Sequence, residues 1–127
     1  MSQYVDTNTK TFTASAAIPQ FALVTLANTG KVAVTGLAER PIGVAWREAF
    51  ADGDEIAVKL LTASGTFKGI AKEALAVAAV LYTEAAGKLQ DTAETTANPV
   101  GIALGAATAD NDIIEWMPLH YGGVAAG

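Results

Sequence analysis

A pattern that begins with Pro41-Ile42-Gly43 occurs a second time in this sequence as Pro99-Val100-Gly101. The two segments, residues 41–61 and 99–119, align without a gap, so the spacing from the proline through a turn to a second apolar stretch is the same in both. Two apolar stretches joined by a short turn are typical of a β-hairpin. Any fold of this chain must therefore contain the same hairpin twice.

Large and small side chains alternate in both copies with the period of two that β-strands have. The large ones are separated by glycine and alanine, and they are Ile42, Val44 and Trp46 in the first copy and Val100, Ile102 and Leu104 in the second. Because the intervening side chains are so small, we expect that side of each strand to lie against another backbone. The turns Asp52-Gly53-Asp54 and Asp110-Asn111-Asp112 follow, built from residue types that tolerate positive φ.

The same alternation predicts the core. Trp46 is matched by Leu104, and Val58 is matched by Trp116, so large apolar side chains recur at equivalent positions. A core related by internal symmetry needs such matched partners, although contact with another subunit is an alternative for these positions. The predicted core consists of Val44, Trp46, Ile56, Val58, Ile102, Leu104, Ile114 and Trp116.

The duplication extends towards the N-terminus. The matches there are Thr11-Phe12 with Thr66-Phe67, Ile18 with Ile70, residues 21–25 with 79–83, and Gly30-Lys31 with Gly87-Lys88. The glycine of each Gly-Lys turn is expected where the backbone needs left-handed geometry. These matches predict one domain, residues 11–119, made of the copies 11–61 and 66–119 with a linker at 62–65.

Two copies of about four short strands each, with turns every ~8–12 residues, predict an all-β fold. We expect a small antiparallel β-barrel or sandwich built from an internal duplication. Residues 72–80 are the exception, because alanine, glutamate and leucine favour helix, and one short helical segment is expected there. Residues 120–127, rich in glycine and alanine, are expected to form a flexible C-terminal tail.

Charge and composition argue against several classes of protein. A net charge of −5 at pH 7 does not suit a nucleic-acid-binding surface, which needs a basic patch. The chain has no cysteine, which rules out a disulfide framework and thiol chemistry. The N-terminus lacks the pattern of a signal peptide, and no apolar run approaches the ~20 residues of a membrane span. We therefore expect a protein in solution, with no nucleic-acid and no membrane partner.

Chemical motifs are weak throughout the sequence. His120 is the only histidine and has no partners arranged for a catalytic triad. The pairs Asp52/Asp54 and Asp110/Asp112 resemble the start of a calcium loop, but the remaining ligands are missing, and aspartate is equally favoured in turns. The Gly-Lys pairs do not match a phosphate-binding loop. We expect no enzyme, no metal and no cofactor.

Residues 1–10 precede the duplicated unit and form a predicted N-terminal arm. Val5, Thr7 and Thr9 alternate as strand residues do, and β-branched side chains suit an extended segment. The arm has too little apolar surface to become ordered alone, so we expect it to pair with a partner, with Tyr4 and Val5 as its anchors. A frayed terminus is the alternative.

The two copies differ most just after the first strand of the hairpin. Arg47, Glu48 and Phe50 are replaced by small side chains in the second copy, at Gly105, Ala106 and Thr108. An interface needs only one copy, and arginine and aromatic residues are enriched at interfaces, so the three large residues are predicted to contact a neighbouring subunit. For the segment 117–121 with its end residues Met117 and Tyr121, subunit contact and packing on the barrel both remain open.

A family resemblance over nearly the whole chain rests on the order and spacing of Tyr4-Val5, Thr11-Phe12-Thr13-Ala14, Pro41-Ile42-Gly43-Val44-Ala45, Gly65-Thr66-Phe67, Leu81-Tyr82-Thr83, Ala86-Gly87-Lys88-Leu89 and Pro99-Val100-Gly101-Ile102-Ala103. The family that the chain resembles is the capsid cement, or head decoration, family of tailed bacteriophages. Gln20-Phe21-Ala22 and Val77-Ala78-Ala79 depart from it, since members often carry a Gly-Asp turn at these two places.

The resemblance implies a structural role on a virus particle. It implies a small β protein that forms a homotrimer at local threefold positions on the outside of an expanded capsid and clamps neighbouring copies of the major capsid protein together. The alternative is a soluble domain of a phage tail or cell surface that binds carbohydrate or another ligand. Such a domain needs a concave apolar pocket, and the chain has few aromatic residues for a sugar platform.

Overall fold

Two five-stranded antiparallel sheets make up the fold in the computed structural model, which describes residues 9–63 and 65–119. The strands are β1 (Thr9–Thr13), β2 (Leu23–Leu26), β3 (Val32–Val34), β4 (Gly43–Ala45), β5 (Glu55–Leu60), β6 (Phe67–Ile70), β7 (Val80–Thr83), β8 (Leu89–Gln90), β9 (Pro99–Ala103) and β10 (Ile113–Pro118), with one 3-10 turn at Ala85–Gly87. We call residues 9–63 the first half and residues 65–119 the second half.

The two sheets have the same topology. The first has the order β1-β5-β4-β2-β3, and the second has the order β6-β10-β9-β7-β8, so each strand has a counterpart in the other half. This arrangement confirms the prediction of an all-β fold built from an internal duplication. Bridges from Ala14 to Val32 and from Ala71 to Leu89 join the two edges of each sheet at one point, so each half curls towards a barrel. The fold as a whole is a sandwich-like pair of sheets rather than a closed barrel. Within the described ranges no helix is long and apolar enough to cross a membrane.

Backbone conformation at the turns repeats between the halves. Gly30 and Gly87 have φ values of 87° and 70°, and Gly53 and Asn111 have values of 95° and 74°. These four positions are the predicted turn residues, and their left-handed geometry is the reason that glycine or asparagine occupies them. The left-handed geometry predicted for the two Gly-Lys turns is confirmed.

A carboxylate holds each hairpin turn closed. The side chain of Asp54 accepts hydrogen bonds from the backbone N–H groups of Phe50 and Ala51, at 2.8 and 3.2 Å. Asp112 accepts the same two bonds, at 2.8 and 3.2 Å, from Thr108 and Ala109, and a third from the Thr108 hydroxyl. The bonds from Thr108 lower the pKa of Asp112, because they stabilise the charged form. The aspartates therefore have a turn-closing role.

The helix predicted at residues 72–80 is wrong. Leu75 exchanges both backbone hydrogen bonds with Ala107, at 3.0 and 2.9 Å, and the Lys72 N–H donates to the Leu89 carbonyl. Ala78 has a φ of 74°, which no right-handed helix contains. The backbone groups of this segment thus bond to distant parts of the half, and tertiary pairing overrides the helical propensity of alanine.

Three of the predicted matches between the halves are shifted. The match of residues 21–25 with 79–83 is off by one residue, because Leu23 pairs with Val44 as Val80 pairs with Ile102. Ile18 bridges to Ala49 as Leu75 bridges to Ala107, so the counterpart of Ile18 is Leu75, whereas Ile70 was predicted. Phe12 pairs with Ile56, while Gly69 pairs with Ile114. The counterpart of Phe12 is therefore Gly69, two residues after the predicted Phe67. Alignment by residue type placed Phe12 and Phe67 at equivalent positions. The strand register shows that these two positions differ by two residues.

A compensating change of volume explains this shift. In the first sheet Phe12 lies diagonally across from Val58, and in the second sheet Gly69 lies diagonally across from Trp116. A Cβ atom on Gly69 would lie 2.7 Å from Nε1 of Trp116, so only glycine leaves room for the indole. Phe67 then packs against Trp116 with ring centroids 5.4 Å apart. The large side chain of this pair is thus Phe12 of β1 in the first half and Trp116 of β10 in the second half.

Each sheet buries its inner face in an apolar core. The first core contains Val24, Ala45 and Val58, and the second contains Leu81, Ala103 and Trp116. Direct hydrogen bonds also join the halves, including Thr83 Oγ1 to the Leu37 carbonyl (2.6 Å) and the Gly87 N–H to the Thr35 carbonyl (2.9 Å). The two halves pack on each other through these contacts and through the outer face of the first sheet.

Candidate interaction surfaces

Phe50 is the most exposed of the large apolar side chains that the structure describes, at 77% of its full accessible area. It lies in the loop of residues 46–54 between β4 and β5, which we call the rim loop. Arg47 and Glu48 are exposed in the same loop. The three predicted interface residues are thus all exposed in one loop.

The backbone of the rim loop is held from several sides. The Asp54 carboxylate binds the N–H groups of Phe50 and Ala51, and Ala49 exchanges both backbone hydrogen bonds with Ile18. Lys31 contacts Asp52 at 3.1 Å, an exposed ion pair that contributes little stability by itself. An aromatic side chain on a fixed backbone loses little conformational entropy on binding, which suits it to be an anchor at an interface.

The second half carries the same ion pair without the large side chains. Lys88 contacts Asp110 at 2.8 Å, and its hydrogen bond lowers the pKa of Asp110. The scaffold of the loop is therefore duplicated, while its exposed arginine, glutamate and phenylalanine occur only in the first half. This difference supports a binding role for the side chains of the rim loop, because the fold does not require them.

A second apolar surface lies on the outer face of the second sheet. Ile102 pairs with Val80 on one side and with Met117 on the other, so the three side chains form a row across β7, β9 and β10. We call these three residues the outer-face row. Met117 is 38% exposed, and Val80 and Ile102 are partly exposed. Leu104, two residues after Ile102, adds to this surface.

The sequence predicted that Leu104 and Ile102 lie in the core, but the structure places both of them outside it. Leu104 is 38% exposed and Ile102 is partly exposed, whereas Ala103 between them is fully buried. The small residues of β9 face the core because Trp116 fills the space above them: a Cβ atom on Gly101 would lie 2.6 Å from its ring. The period of two was correct, but the face assigned to the core in this strand was the wrong one.

The other predicted core residues are divided between the two faces. Ile56, Val58, Ile114 and Trp116 lie on the inner faces and are buried. Val44 is buried too, but it lies on the outer face of the first sheet, which the second half covers. Trp46 is partly buried there and packs edge-on against Phe21, with ring centroids 5.4 Å apart.

Lys59 is an important contact that the sequence analysis missed. Its ammonium lies 4.8 Å from the ring centroid of Trp46 and 4.4 Å from that of Phe67, and it donates to the carbonyl of Thr66. Burial lowers its pKa, while the two rings favour its charge. In the sequence, Lys59 is a polar residue between Val58 and Leu60 in a strand pattern. Nothing in that pattern indicated that it would link the two halves.

Several predicted site residues cannot be placed. Tyr4, Val5, Thr7 and Tyr121 lie outside the described residues, as does His120. Thr9 begins β1 and pairs with Lys59. Met117 belongs to the outer-face row, where it pairs with Ile102. In the described part of the chain, no three His, Cys, Asp or Glu side chains are placed to hold a metal ion.

No family model matches the sequence, and no curated protein matches it. Among solved structures, the chain is similar to the head fiber gp8.5 N base of bacteriophage phi29, with a TM-score of 0.69 and 17% sequence identity. The match covers 89% of this chain and 98% of that chain. The likeness therefore extends over both halves, and it shows that the duplicated two-sheet fold described above is also the fold of this head fiber base.

Proposed function

We propose that this protein is a structural, non-enzymatic component of a bacteriophage head. It binds the outer surface of the expanded capsid as a homotrimer at local threefold positions and cements neighbouring major capsid proteins. The observation that carries the proposal is the fold shared with the phi29 head fiber base over 98% of that chain. The sequence resemblance to capsid cement proteins supports the same role.

The surfaces of the molecule suit a protein that acts by binding. Phe50 presents an aromatic side chain on a backbone that Asp54 holds in place, and the second sheet exposes an apolar row. A protein with such surfaces stabilises an assembly by adding buried apolar area between subunits. In a trimer, the binding of one subunit raises the effective concentration of the other two, so each contact with the capsid can be weak.

Capsid attachment is assigned to the arm, residues 1–10. Its last two residues, Thr9 and Lys10, belong to β1, which is an edge strand of the first sheet. An extended segment that continues an edge strand can pair with a strand of another protein through its backbone groups. The arm would thus bind the major capsid protein by strand addition, while the two-sheet domain remains on the capsid surface.

Co-sedimentation with capsids tests this proposal. The full chain is expected to sediment with expanded capsids of its phage and to remain in the supernatant with unexpanded ones. Deletion of residues 2–8 is expected to lower occupancy on expanded capsids strongly, with thermal stability and trimer mass nearly unchanged. Val77→Ser, at an exposed apolar residue outside the arm and the rim loop, is the control and is expected to leave occupancy unchanged.

The outcomes separate the parts of the proposal. If the full chain does not bind expanded capsids, the capsid role is wrong. If the truncated chain binds as well as the full chain, attachment runs through the domain, and the arm is only a terminus.

A further inference from the structure

The outer-face row of the second sheet has a buried counterpart in the first sheet. Leu23, Val44 and Lys59 are the residues that correspond to Val80, Ile102 and Met117, because Val44 pairs with Leu23 on one side and with Lys59 on the other. Leu23 and Val44 are almost completely buried, in the same apolar cluster as Phe67, Leu89 and Trp116 of the second half. The same row of the same fold is thus covered in one half and exposed in the other.

The cover on the first row comes from β6 and from the turn at Gly87. Lys59 lies over the Phe67 ring and donates to the Thr66 carbonyl, and β4 contacts β6 directly. Gly87 donates to the Thr35 carbonyl and lies so close to Leu23 that a Cβ atom there would be 2.8 Å from the Leu23 carbonyl oxygen. β6 and β8 are the two edges of the second sheet, and the bridge from Ala71 to Leu89 joins them. This joined edge of the second half therefore packs against the outer face of the first.

The corresponding edge of the first half has no such neighbour within the described chain. Its elements are β1, which corresponds to β6, and the turn at Gly30, which corresponds to the turn at Gly87. Gly30 is exposed, a Cβ atom there would meet nothing within 4 Å, and Lys10 and Phe12 are partly exposed. Each chain thus presents both sides of the internal contact, the row on its second half and the edge on its first half.

We infer that the outer-face row binds the β1 edge and Gly30 turn of the first half of a second copy of this chain, and so repeats between chains the contact that joins the halves within one. The side chains at the centre of the contact fit this pairing. Within the chain, the ammonium of Lys59 lies on the ring of Phe67. Between chains, Met117 takes the place of Lys59, and Lys10 takes the place of Phe67. Within the chain the lysine belongs to the row and the apolar residue to the edge, whereas between chains the apolar Met117 belongs to the row and Lys10 to the edge. The aliphatic part of the Lys10 side chain can then cover Met117.

The two surfaces of this contact are different, which makes it heterologous. Repeated contacts of this kind close into a ring or continue as a filament. Three chains would close a ring of six similar halves, and this number rests on the proposed trimer. The pairing of the row with the edge does not depend on attachment to a capsid.

Engineered disulfides test the pairing, because the chain has no cysteine of its own. The double variant Lys10→Cys with Met117→Cys is expected to form disulfides between chains on mild oxidation. Non-reducing electrophoresis should then show bands of two and three chains of 13.0 kDa each. The matched control is Ala93→Cys with Met117→Cys, which places the first cysteine on the exposed loop between β8 and β9 and is expected to stay at one chain.

Three results would overturn the inference. The double variant could remain a single chain while the protein is still a trimer by sedimentation, which leaves the proposed function intact. Met117→Cys alone could form dimers as efficiently as the double variant, which would mean that two outer faces meet each other. The control pair could cross-link as well as the test pair, which would mean that the reaction reports collisions.

Introducing a charged side chain into the outer-face row tests the contact between chains independently. Ile102→Glu is expected to shift the sedimentation mass towards one chain, and Val77→Glu, at an exposed apolar residue outside the row, is expected to leave it unchanged. Circular dichroism checks that both variants keep the β fold. A folded Ile102→Glu variant with the mass of the unaltered protein would contradict the inference.

Discussion

Phe21 and Ala78 hold equivalent left-handed backbone conformations, with φ values of 72° and 74°. Each N–H group donates across to a strand, to the Ala45 carbonyl (2.7 Å) and to the Ala103 carbonyl (2.8 Å), so tertiary hydrogen bonds impose the conformation. Left-handed geometry costs an ordinary residue about 1–2 kcal/mol. Phe21 offsets this cost with its ring contacts to Trp46 and Lys68, whereas Ala78 is exposed.

Ala78→Gly is therefore expected to raise the free energy of unfolding, by about 1 kcal/mol, because glycine adopts this conformation without a steric cost. Urea denaturation followed by circular dichroism measures the change. Ala76→Gly is the control two residues away, at an exposed position without positive φ, and is expected to lower stability by about 0.5–1 kcal/mol. Equal effects of the two changes would show that the backbone at Ala78 is not strained.

At the scale of strands, β5 and β10 are the central elements of the duplication. Each lies between an edge strand and an inner strand of its sheet, β5 between β1 and β4 and β10 between β6 and β9. Ile56 and Ile114 occupy equivalent positions in them, and each is 3% exposed. Their cross-strand partners differ greatly in size, since Ile56 faces Phe12 and Ile114 faces Gly69.

Ile56→Ala and Ile114→Ala are expected to destabilise the protein by similar amounts, each about 2–5 kcal/mol, as is usual for large-to-small changes in a core. The similarity follows from equal burial, because Trp116 supplies in the second sheet the volume that Phe12 supplies in the first. Chemical denaturation of the two single variants checks this. If either change costs less than about 0.5 kcal/mol, the two cores are not equivalent.

Much of this level of structure could be predicted from the sequence. The gapless repeat from Pro41 and Pro99 predicted the duplicated hairpins, and the glycine and aspartate spacing predicted their turns. The sequence could not show which side of β9 faces the core. Ala103 is buried and Leu104 is exposed because Trp116 occupies the space on the core side of this strand. Composition predicted a helix at 72–80, where bonds to Ala107 and Leu89 determine the backbone instead. The asymmetry of the copies predicted the rim residues of the first half as candidates, whereas the outer-face row became visible only once the strand register placed Val80 beside Ile102.

At the scale of the whole molecule, the exposed side chains are distributed unequally between the halves. The rim loop belongs to the first half and the outer-face row to the second, while the core and the turns are shared. The exposed surfaces have thus diverged at different places on a symmetric scaffold. A single assembly contact can use one half without altering the fold of the other.

Phe50→Ser is expected to weaken the trimer without unfolding the chain, since the side chain is 77% exposed and contributes little to the core. Equilibrium sedimentation over a range of concentrations measures the association. Thr108→Ser, at the equivalent position of the second half, is the control and should leave the association unchanged. A trimer that is unaltered by Phe50→Ser at every concentration would remove the rim loop from the subunit interface.

The exchange of volume between Phe12 with Val58 and Gly69 with Trp116 has a consequence for the gene. A coding sequence with two similar repeats is open to recombination between them, which could replace one half by a copy of the other. A crossover that brought β10 into the place of β5 would set an indole against Phe12, where glycine is needed to receive it. Such a product would be overpacked in one sheet, and the reciprocal product would leave a void in the other. The divergence of the two cores thus opposes recombination that would make the halves identical, and it preserves the difference between their exposed surfaces.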